Sequence, residues 1–199
     1  ANELIKKDFN VLIITSSQNI SSTSQHLKVI SIVDKWNFNS FEKIKTNLKE
    51  NHINTLFIQY TPFAFAKRGG INYFIPFFIF YCRFFLKIKV HTLFHEINWP
   101  FEFKIKSLIM YSSHLFQASL ISTFSNNTFV SNTHFVKLII RISPWKKAPY
   151  VLNSASNLPK SIPNEFKRRY QLSDKFIFCM FGGFHPSKRQ ELAIESIAS

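Results

Sequence analysis

Short apolar segments alternate with segments of helical periodicity along most of the chain, and this alternation restricts the fold more than any other feature. Runs such as Asn10–Thr15 and Thr55–Tyr60 are apolar at nearly every position, which is typical of strands buried in a parallel sheet. Phe41, Ile44 and Leu48 recur every three or four residues, which predicts a helix over 40–51 with Ser40 as its N-cap. Further strands are predicted at 27–33, 89–95 and 128–131, and further helices at 71–90, 103–116 and 135–140.

Strands separated by helices predict an α/β fold, specifically a doubly wound parallel sheet of the Rossmann-like kind with helices on both faces. Residues 1–9 have the pattern of the last turns of a helix that leads into the strand at Asn10, so we expect the first strand of the sheet to be missing. In such sheets, ligands bind at the carboxyl ends of the strands. The loops after Tyr60, His95, Ser131 and Phe181 are therefore the candidate sites.

Four prolines between residues 144 and 163 interrupt this pattern and predict a linker. A charged helix at 164–170, a strand at 175–181 and a helix from Ser187 follow it. The strand 175–181 and the helix from Ser187 cannot bury a core by themselves, so we expect the chain to contain one domain and part of another. Residues 1–160 form a nearly whole first domain, and residues 161–199 form a linker and the truncated start of a second.

The chain carries a net charge of +14, and between residues 83 and 189 it has sixteen Lys and Arg against four acids. Such an excess favours an anionic partner, either nucleic acid, anionic lipid or a phosphorylated small molecule, although a basic surface without a specific partner is also compatible. The aromatic segment 71–90 contains Pro76 and Arg83, so it does not span a membrane and fits a buried or interfacial helix. Cys82 and Cys179 lie far apart in apolar runs, which favours core thiols in a cytoplasmic protein.

The segment 91–96, in and just after the predicted strand 89–95, contains three polar side chains, His91, His95 and Glu96. His95 and Glu96 come at the carboxyl end of this strand, so they are candidate catalytic residues, with a structural histidine and a capping glutamate as the alternative. His91 and His95 are too far apart along a strand to share a metal, and no metal is expected. The sequence also lacks Asp-x-Asp, P-loop and GxSxG motifs.

Both glycine doublets of the chain lie in loops that follow predicted strands, one after Tyr60 and the other after Phe181. Gly182 and Gly183 separate a strand from a helix that carries Lys188, an arrangement that suits a phosphate, or else a simple turn between strand and helix. Lys67, Arg68, Gly69 and Gly70 follow Tyr60 and offer backbone amides and cations to a polar acceptor, with an ordinary surface turn as the alternative.

In order and spacing, several short motifs resemble those of the family-4 retaining glycosyltransferases. They are Ile58–Phe63 after the third strand, Thr92–Glu96, the segment Ser131–Phe135, the interdomain element Val151–Pro159 and the donor-domain opening Phe181–Ala198. The resemblance implies a GT-B fold, in which two Rossmann-like domains bind acceptor and nucleotide-sugar across a cleft.

The family's roles transfer to the matching positions as expectations. Lys188, with Gly182 and Gly183, would bind the donor diphosphate, and His95 with Glu96 would lie at the reacting sugar. Tyr60, Lys67, Arg68, Gly69 and Gly70 would contact the acceptor, and Ser156 and Asn157 would lie between the domains. The resemblance further implies transfer with retention and without a metal or other cofactor, onto a polysaccharide or glycolipid, at the inner face of the cell membrane.

The chain departs from the family pattern at three motif positions. Gly183 replaces an arginine, Arg189 replaces a glycine and Ala155 replaces a glycine; the family's N-terminal glycine-rich loop and E-x7-E region are absent. We therefore expect an incomplete glycosyltransferase that is inactive by itself. The alternatives are a basic, aromatic module that binds anionic lipid or single-stranded nucleic acid, and a degenerate homologue that retains only the fold.

Overall fold

A computed structural model of the chain describes residues 2–16, 22–66, 69–97, 103–152, 165–171 and 195. Strands and helices alternate through most of this part, as the sequence predicts. In chain order they are α1 (Asn2–Ile5), β1 (Val11–Thr15), β2 (Ser22–Ser24), β3 (Leu27–Ser31), α2 (Phe41–Glu50), β4 (Thr55–Tyr60), α3 (Pro62–Phe65), α4 (Phe74–Phe84), β5 (Lys89–Phe94), α5 (Ile105–Phe124), β6 (Asn127–Val130), α6 (His134–Ile142), β7 (Tyr150–Val151) and α7 (Glu165–Arg169).

The protein is an α/β protein whose larger sheet has four parallel strands in the order β4-β5-β6-β7. Its register aligns Tyr60 with Phe94 and Phe94 with Val130, so the carboxyl ends of these strands lie at one edge. Burial alternates along β4 and β5, with Val90, Thr92 and Phe94 on the buried face. One face of this sheet therefore packs in the core, and the other, which carries the exposed Phe57, is open to solvent.

The remaining described strands form a second, three-stranded sheet in the order β1-β3-β2. β1 and β3 are parallel, as expected, whereas β2 runs antiparallel to β3 and forms a hairpin with it. The sequence gives no sign of β2, because the segment Ser22–Ser24 has no apolar pattern. The single parallel sheet expected from the sequence is thus divided in two among the described residues.

Helix α2 has the predicted inward residues Ile44 and Leu48, each at most 2% exposed. Ser40 occupies the N-cap position of this helix, as predicted, but its side chain does not make the expected capping bond. The Ser40 hydroxyl donates to the carbonyl of Lys35 at 2.5 Å instead, and no side-chain cap bond forms at the helix. The hydroxyl is turned toward the preceding loop, where Asn37 caps the short 3-10 turn that leads into α2.

The aromatic segment forms α4, a shorter helix than predicted, and much of it is core. Phe74, Ile75, Phe78, Ile79 and Cys82 are all buried. In the described part of the chain, none of the helices has both the length and the apolar character needed to cross a membrane.

Helix α5 continues eight residues beyond the predicted end at Phe116. Two cations satisfy carbonyls that its last turn leaves without helical partners. The Arg83 guanidinium donates to the carbonyls of Thr123, Phe124 and Ser125, and the Lys146 ammonium donates to that of Ser125 at 2.7 Å. Burial, with Arg83 nearby, lowers the pKa of Lys146.

The chain divides into two compact units, Ala1–Ser154 and Ala155–Ser199. Tyr150 and Val151 lie within the predicted linker, but they form the strand β7. This strand pairs with β6 at the edge of the larger sheet. In the second unit the structure describes α7, where a charged helix is predicted. The predicted strand 175–181 lies outside the described residues, as does the predicted helix from Ser187 except for Glu195.

Candidate functional site

The carboxyl edge of the four-stranded sheet brings together the ends of three strands, where the sequence places its candidate site. The His95 amide donates to the carbonyl of Tyr60 at 3.0 Å, and the Ser131 amide donates to that of Phe94 at 3.0 Å. The Ser131 hydroxyl lies 3.3 Å from the carbonyl of His95. The backbone of His95 is therefore fixed from both neighbouring strands.

The His95 imidazole is half-buried and lies on the side of the sheet that faces solvent. Its Nε2 is 3.3 Å from Oε1 of Gln59, one strand away. Because this oxygen can only accept, a hydrogen bond here has Nε2 as its donor and leaves Nδ1 for other partners. Glu96 follows at an exposed position, before the fully buried Ile97. An imidazole and a carboxyl group thus adjoin one another at the end of β5.

Beneath this edge, the Tyr60 side chain is 1% exposed and takes part in a buried hydrogen-bond network. The Gln117 amide on α5 donates to the Tyr60 hydroxyl, and its Oε1 accepts from the Asn72 amide at 2.6 Å. Burial raises the pKa of Tyr60, although the bond from Gln117 opposes this shift. The Tyr60 ring contacts Phe65 and Phe94, and its hydroxyl is bonded to Gln117 within the core.

Asn72 joins four parts of the first unit through its side chain and backbone. Its Nδ2 donates to the carbonyls of Trp36 and Phe65, at 2.7 and 2.6 Å. Its Oδ1 accepts from the amide of Phe74 at 3.0 Å, which caps the start of α4. With the bond to Gln117, this residue fixes the loop that follows β4 against α4 and α5.

The glycine doublet Gly69–Gly70 packs closely against α5. Gly69 and Gly70 both have positive φ, +66° and +65°, which other residues adopt at a cost. A Cβ on Gly69 would lie 2.5 Å from Cε of Met110, and one on Gly70 would lie 2.9 Å from Cβ of Pro62. The buried His114 donates from Nε2 to the Gly69 carbonyl at 2.5 Å. Gly70 is buried, so the doublet is more than an ordinary surface turn.

His91 lies apart from this edge, on the solvent-facing side of β5, where Nδ1 is 3.2 Å from Nδ2 of Asn127. Burial, and secondarily the charge of Lys89, lowers the pKa of His91. In the part of the chain that is described, no group of three or more His, Cys, Asp or Glu side chains could hold a metal ion.

Seven of the predicted site residues lie outside the described residues. They are Lys67, Arg68, Ser156, Asn157, Gly182, Gly183 and Lys188.

Sequence reasoning missed Asn72, His114 and Gln117, which connect the edge to the helices beneath it. One signal was available for two of them, because His114 and Gln117 are polar residues three positions apart on one face of a helix that is otherwise rich in apolar residues. Asn72 gives no such signal, since its partners at residues 36, 65 and 117 are brought to it only by the tertiary fold.

The outer surface of α5 carries an apolar stripe, which we define as Ile105, Leu108, Ile109 and Phe116. These side chains are between 50% and 81% exposed and recur at helical spacing, and the neighbouring Phe103 is 99% exposed. Lys106 lies beside them. The buried face of the same helix is largely polar, so α5 turns apolar residues toward solvent.

No protein-family model, curated protein or solved structure matches the chain.

Proposed function

We propose that the chain is part of a retaining glycosyltransferase, and that residues 1–160 form its acceptor-binding domain. One observation carries this proposal, namely that His95 and Glu96 follow β5 at the edge where parallel α/β sheets bind ligands. The motif resemblance, from Thr92–Glu96 to Phe181–Ala198, supplies the reaction class. A GT-B fold, a second Rossmann-like domain that binds the nucleotide-sugar, and a role in polysaccharide or glycolipid synthesis are parts of the same proposal.

In this proposal the chemical need is to stabilise a departing nucleoside diphosphate, which cations and helix N-termini do well. Lys188 and the Gly182–Gly183 turn would hold the diphosphate without a metal. His95, held in place by the strands on either side of β5, would contact the reacting sugar through Nδ1, while Nε2 remains bonded to Gln59. Asn72, Gln117 and His114 act as positioning residues, because they fix the loop after β4 beside this edge.

The acceptor would reach this edge from a membrane surface. The apolar stripe on α5 and Lys106 provide the combination that binds anionic lipid, namely exposed large apolar side chains with a cation at the interface. Helix α4, which the sequence indicates to be buried or interfacial, is mostly buried, so the docking element proposed here is α5.

Binding of UDP and GDP to the 199-residue chain, measured by calorimetry, tests the donor role. We expect Lys188→Ala to weaken diphosphate binding at least tenfold, whereas Lys87→Ala, a matched change at an exposed lysine of the first unit, leaves it unchanged. Equal binding by the two variants, or none by the parent chain, would refute the proposed donor site. A single-stranded oligonucleotide that binds more tightly, with a steep dependence on salt, would favour the nucleic-acid alternative.

Turnover of nucleotide-sugars by the longest polypeptide that contains this chain tests the catalytic role. His91 provides the control for His95, since both are half-buried histidines on the solvent-facing side of β5. We expect His95→Ala to lower turnover by about 100-fold or more, as for loss of a positioned acid-base group, and His91→Ala to leave it within a factor of two or so. Similar losses in the two variants would contradict the assignment of His95.

Sedimentation with phosphatidylglycerol vesicles tests the docking surface. The double variant Ile105→Ser and Ile109→Ser removes two apolar groups, each worth about 1.5–3 kcal/mol when fully buried, so vesicle binding should fall at least tenfold. Phe57→Ser removes an exposed apolar group of the four-stranded sheet and should have no effect. Equal binding by all three proteins would exclude α5 as the docking element.

A further inference from the structure

An open cavity of about 510 Å³ lies between the end of α2 and the end of α4. Its walls are mainly apolar side chains, among them Ile53, Phe85 and Leu86, and its polar lining consists of Lys49 and His52. Ile53 and Leu86 come shortly before β4 and β5, so the cavity lies at the amino ends of these strands. It is therefore separate from the candidate site at the carboxyl edge.

The polar lining of this cavity is basic. The side chains of Lys49 and His52 are exposed, and in the part of the chain that is described neither has a hydrogen-bond or ion-pair partner. Lys45, one turn earlier on α2, is paired with Glu42 at 2.6 Å. Among the described residues that line the cavity, none is acidic. The Lys49 ammonium is thus available to an anion.

The cavity lies beside a helix end, where free backbone carbonyls would repel an anion. The carbonyls of Leu48 and Lys49 at the end of α2 accept from the amides of Ile53 and His52, each at 3.0 Å. At the end of α4, the carbonyl of Cys82 accepts from Ile88 at 2.9 Å. Because these carbonyls are engaged by the turns that follow the helices, the Lys49 ammonium decides the sign of the charge that the cavity favours.

A continuous row of aromatic rings leads away from the cavity along α4 and α2. We define the aromatic row as Phe85, Tyr81, Phe41, Phe77 and Phe38, and the centroids of successive rings are 4.8–5.7 Å apart. Phe85 is 64% exposed, Phe38 is 59% and Phe77 is 40%. Contiguous exposed apolar surface of this kind marks a place where a partner binds.

We propose that the cavity and the aromatic row bind one anionic lipid molecule, with its headgroup beside Lys49 and one acyl chain along the row. A cation at one end of a long apolar strip matches the polarity of an amphiphile. Tyr73, one turn before Phe77, lies 6.2 Å from Phe116, so the row continues the apolar stripe on α5 that is proposed to contact a membrane. The lipid site is independent of glycosyl transfer, because it uses neither His95 nor Lys188.

Calorimetry with soluble amphiphiles, each kept below its critical micelle concentration, tests both halves of the site. Dodecyl maltoside shares the chain of dodecyl phosphate but is uncharged, and butyl phosphate shares its headgroup but has a short chain. We expect dodecyl phosphate to bind at least tenfold more tightly than either. Equal affinity for the two dodecyl compounds would show apolar adsorption without a headgroup site, and equal affinity for the two phosphates would show that the row takes no part. Either result would overturn the proposal.

Substitutions at Lys49 test the headgroup position. Lys49→Ala should weaken binding of dodecyl phosphate at least tenfold, whereas Lys43→Ala, at an exposed lysine of the same helix that does not line the cavity, should leave it unchanged. Lys49→Glu should reverse the preference, so that dodecyltrimethylammonium binds more tightly than dodecyl phosphate. Equal losses in the two alanine variants, or no reversal by Lys49→Glu, would refute this position. Circular dichroism verifies that each variant is folded.

A substitution at Phe85 tests the acyl chain position. Phe85→Ser should weaken dodecyl phosphate at least fivefold and leave butyl phosphate unchanged, whereas Phe84→Ser, outside the row on the same helix, should change neither. The double variant Ile105→Ser and Ile109→Ser should bind dodecyl phosphate as the parent chain does, so this site and vesicle docking through α5 can fail separately. A dimer that Phe85→Ser dissociates in analytical ultracentrifugation would assign the row to a second copy and overturn the proposal.

Discussion

The hydrogen-bond network beneath the sheet edge gives the most direct test of the structure. Gln117→Met preserves the approximate volume of the side chain and removes both of its hydrogen bonds. The Tyr60 hydroxyl, on a side chain that is 1% exposed, then loses its donor, which costs about 1–3 kcal/mol for a buried polar group. Asn72 is half-buried, so water can replace part of its lost bond, at a cost of about 1 kcal/mol. We expect the free energy of unfolding to fall by about 2–4 kcal/mol.

Urea denaturation followed by circular dichroism measures this change. Ser112→Met provides the matched control, because Ser112 is exposed on the same helix, and a surface change of this kind should alter stability by no more than about 0.5 kcal/mol. If Gln117→Met also stays within that range, the network does not contribute as the structure indicates.

A double-mutant cycle separates the hydrogen bond from the side chain's packing. In a Tyr60→Phe background, no hydroxyl remains to lose its partner, so Gln117→Met should cost only about 1 kcal/mol. A coupling energy of about 1–3 kcal/mol is therefore expected. Identical costs of Gln117→Met in the two backgrounds would refute the bond between these side chains.

Three further predictions concern single residues of the first unit. Burial raises the pKa of Cys82 to about 12, so in a Cys179→Ser variant this thiol should resist iodoacetamide at pH 8 until urea unfolds the chain; rapid modification would contradict its burial. The lowered pKa of His91 means that the unfolded state binds more protons just below pH 6.5, so stability should fall on acidification through this region, and less steeply in His91→Gln. Gly70→Ala should lower the free energy of unfolding by about 1–3 kcal/mol, because of its positive φ and the contact with Pro62, and an unchanged urea midpoint would show that the turn can relax.

Much of the fold follows from local patterns. The bounds of β4 are as predicted; β1, β3 and β5 differ from prediction by one or two residues at one end, and β6 is shifted by one residue. These predictions succeed because a buried strand needs a short, continuous apolar run, which is visible without knowledge of its neighbours. The placement of His95 and Glu96 at the carboxyl end of β5 succeeds for the same reason, although the strand ends at Phe94, one residue earlier than predicted.

The candidate site could be predicted only in part. The position of His95 and Glu96 depends on one strand, whereas the surroundings depend on contacts between distant segments. Asn72 meets carbonyls at residues 36 and 65, and Gln117 meets a hydroxyl 57 positions away. A pattern of apolar residues does not specify which polar group lies opposite another, because many pairings satisfy the same periodicity.

The sequence by itself determined most of the segments that become strands and helices, that the strands pair mainly in parallel, and that Cys82 belongs to the core. Tertiary structure alone decided that the strands divide between two sheets, that Tyr150 and Val151 add a strand within the proline-rich segment, and that α5 turns its apolar stripe outward. The physical reason is the range of the interactions. Burial of a strand is a local property of its residues, whereas strand order and helix orientation depend on backbone edges and polar partners that come from far along the chain.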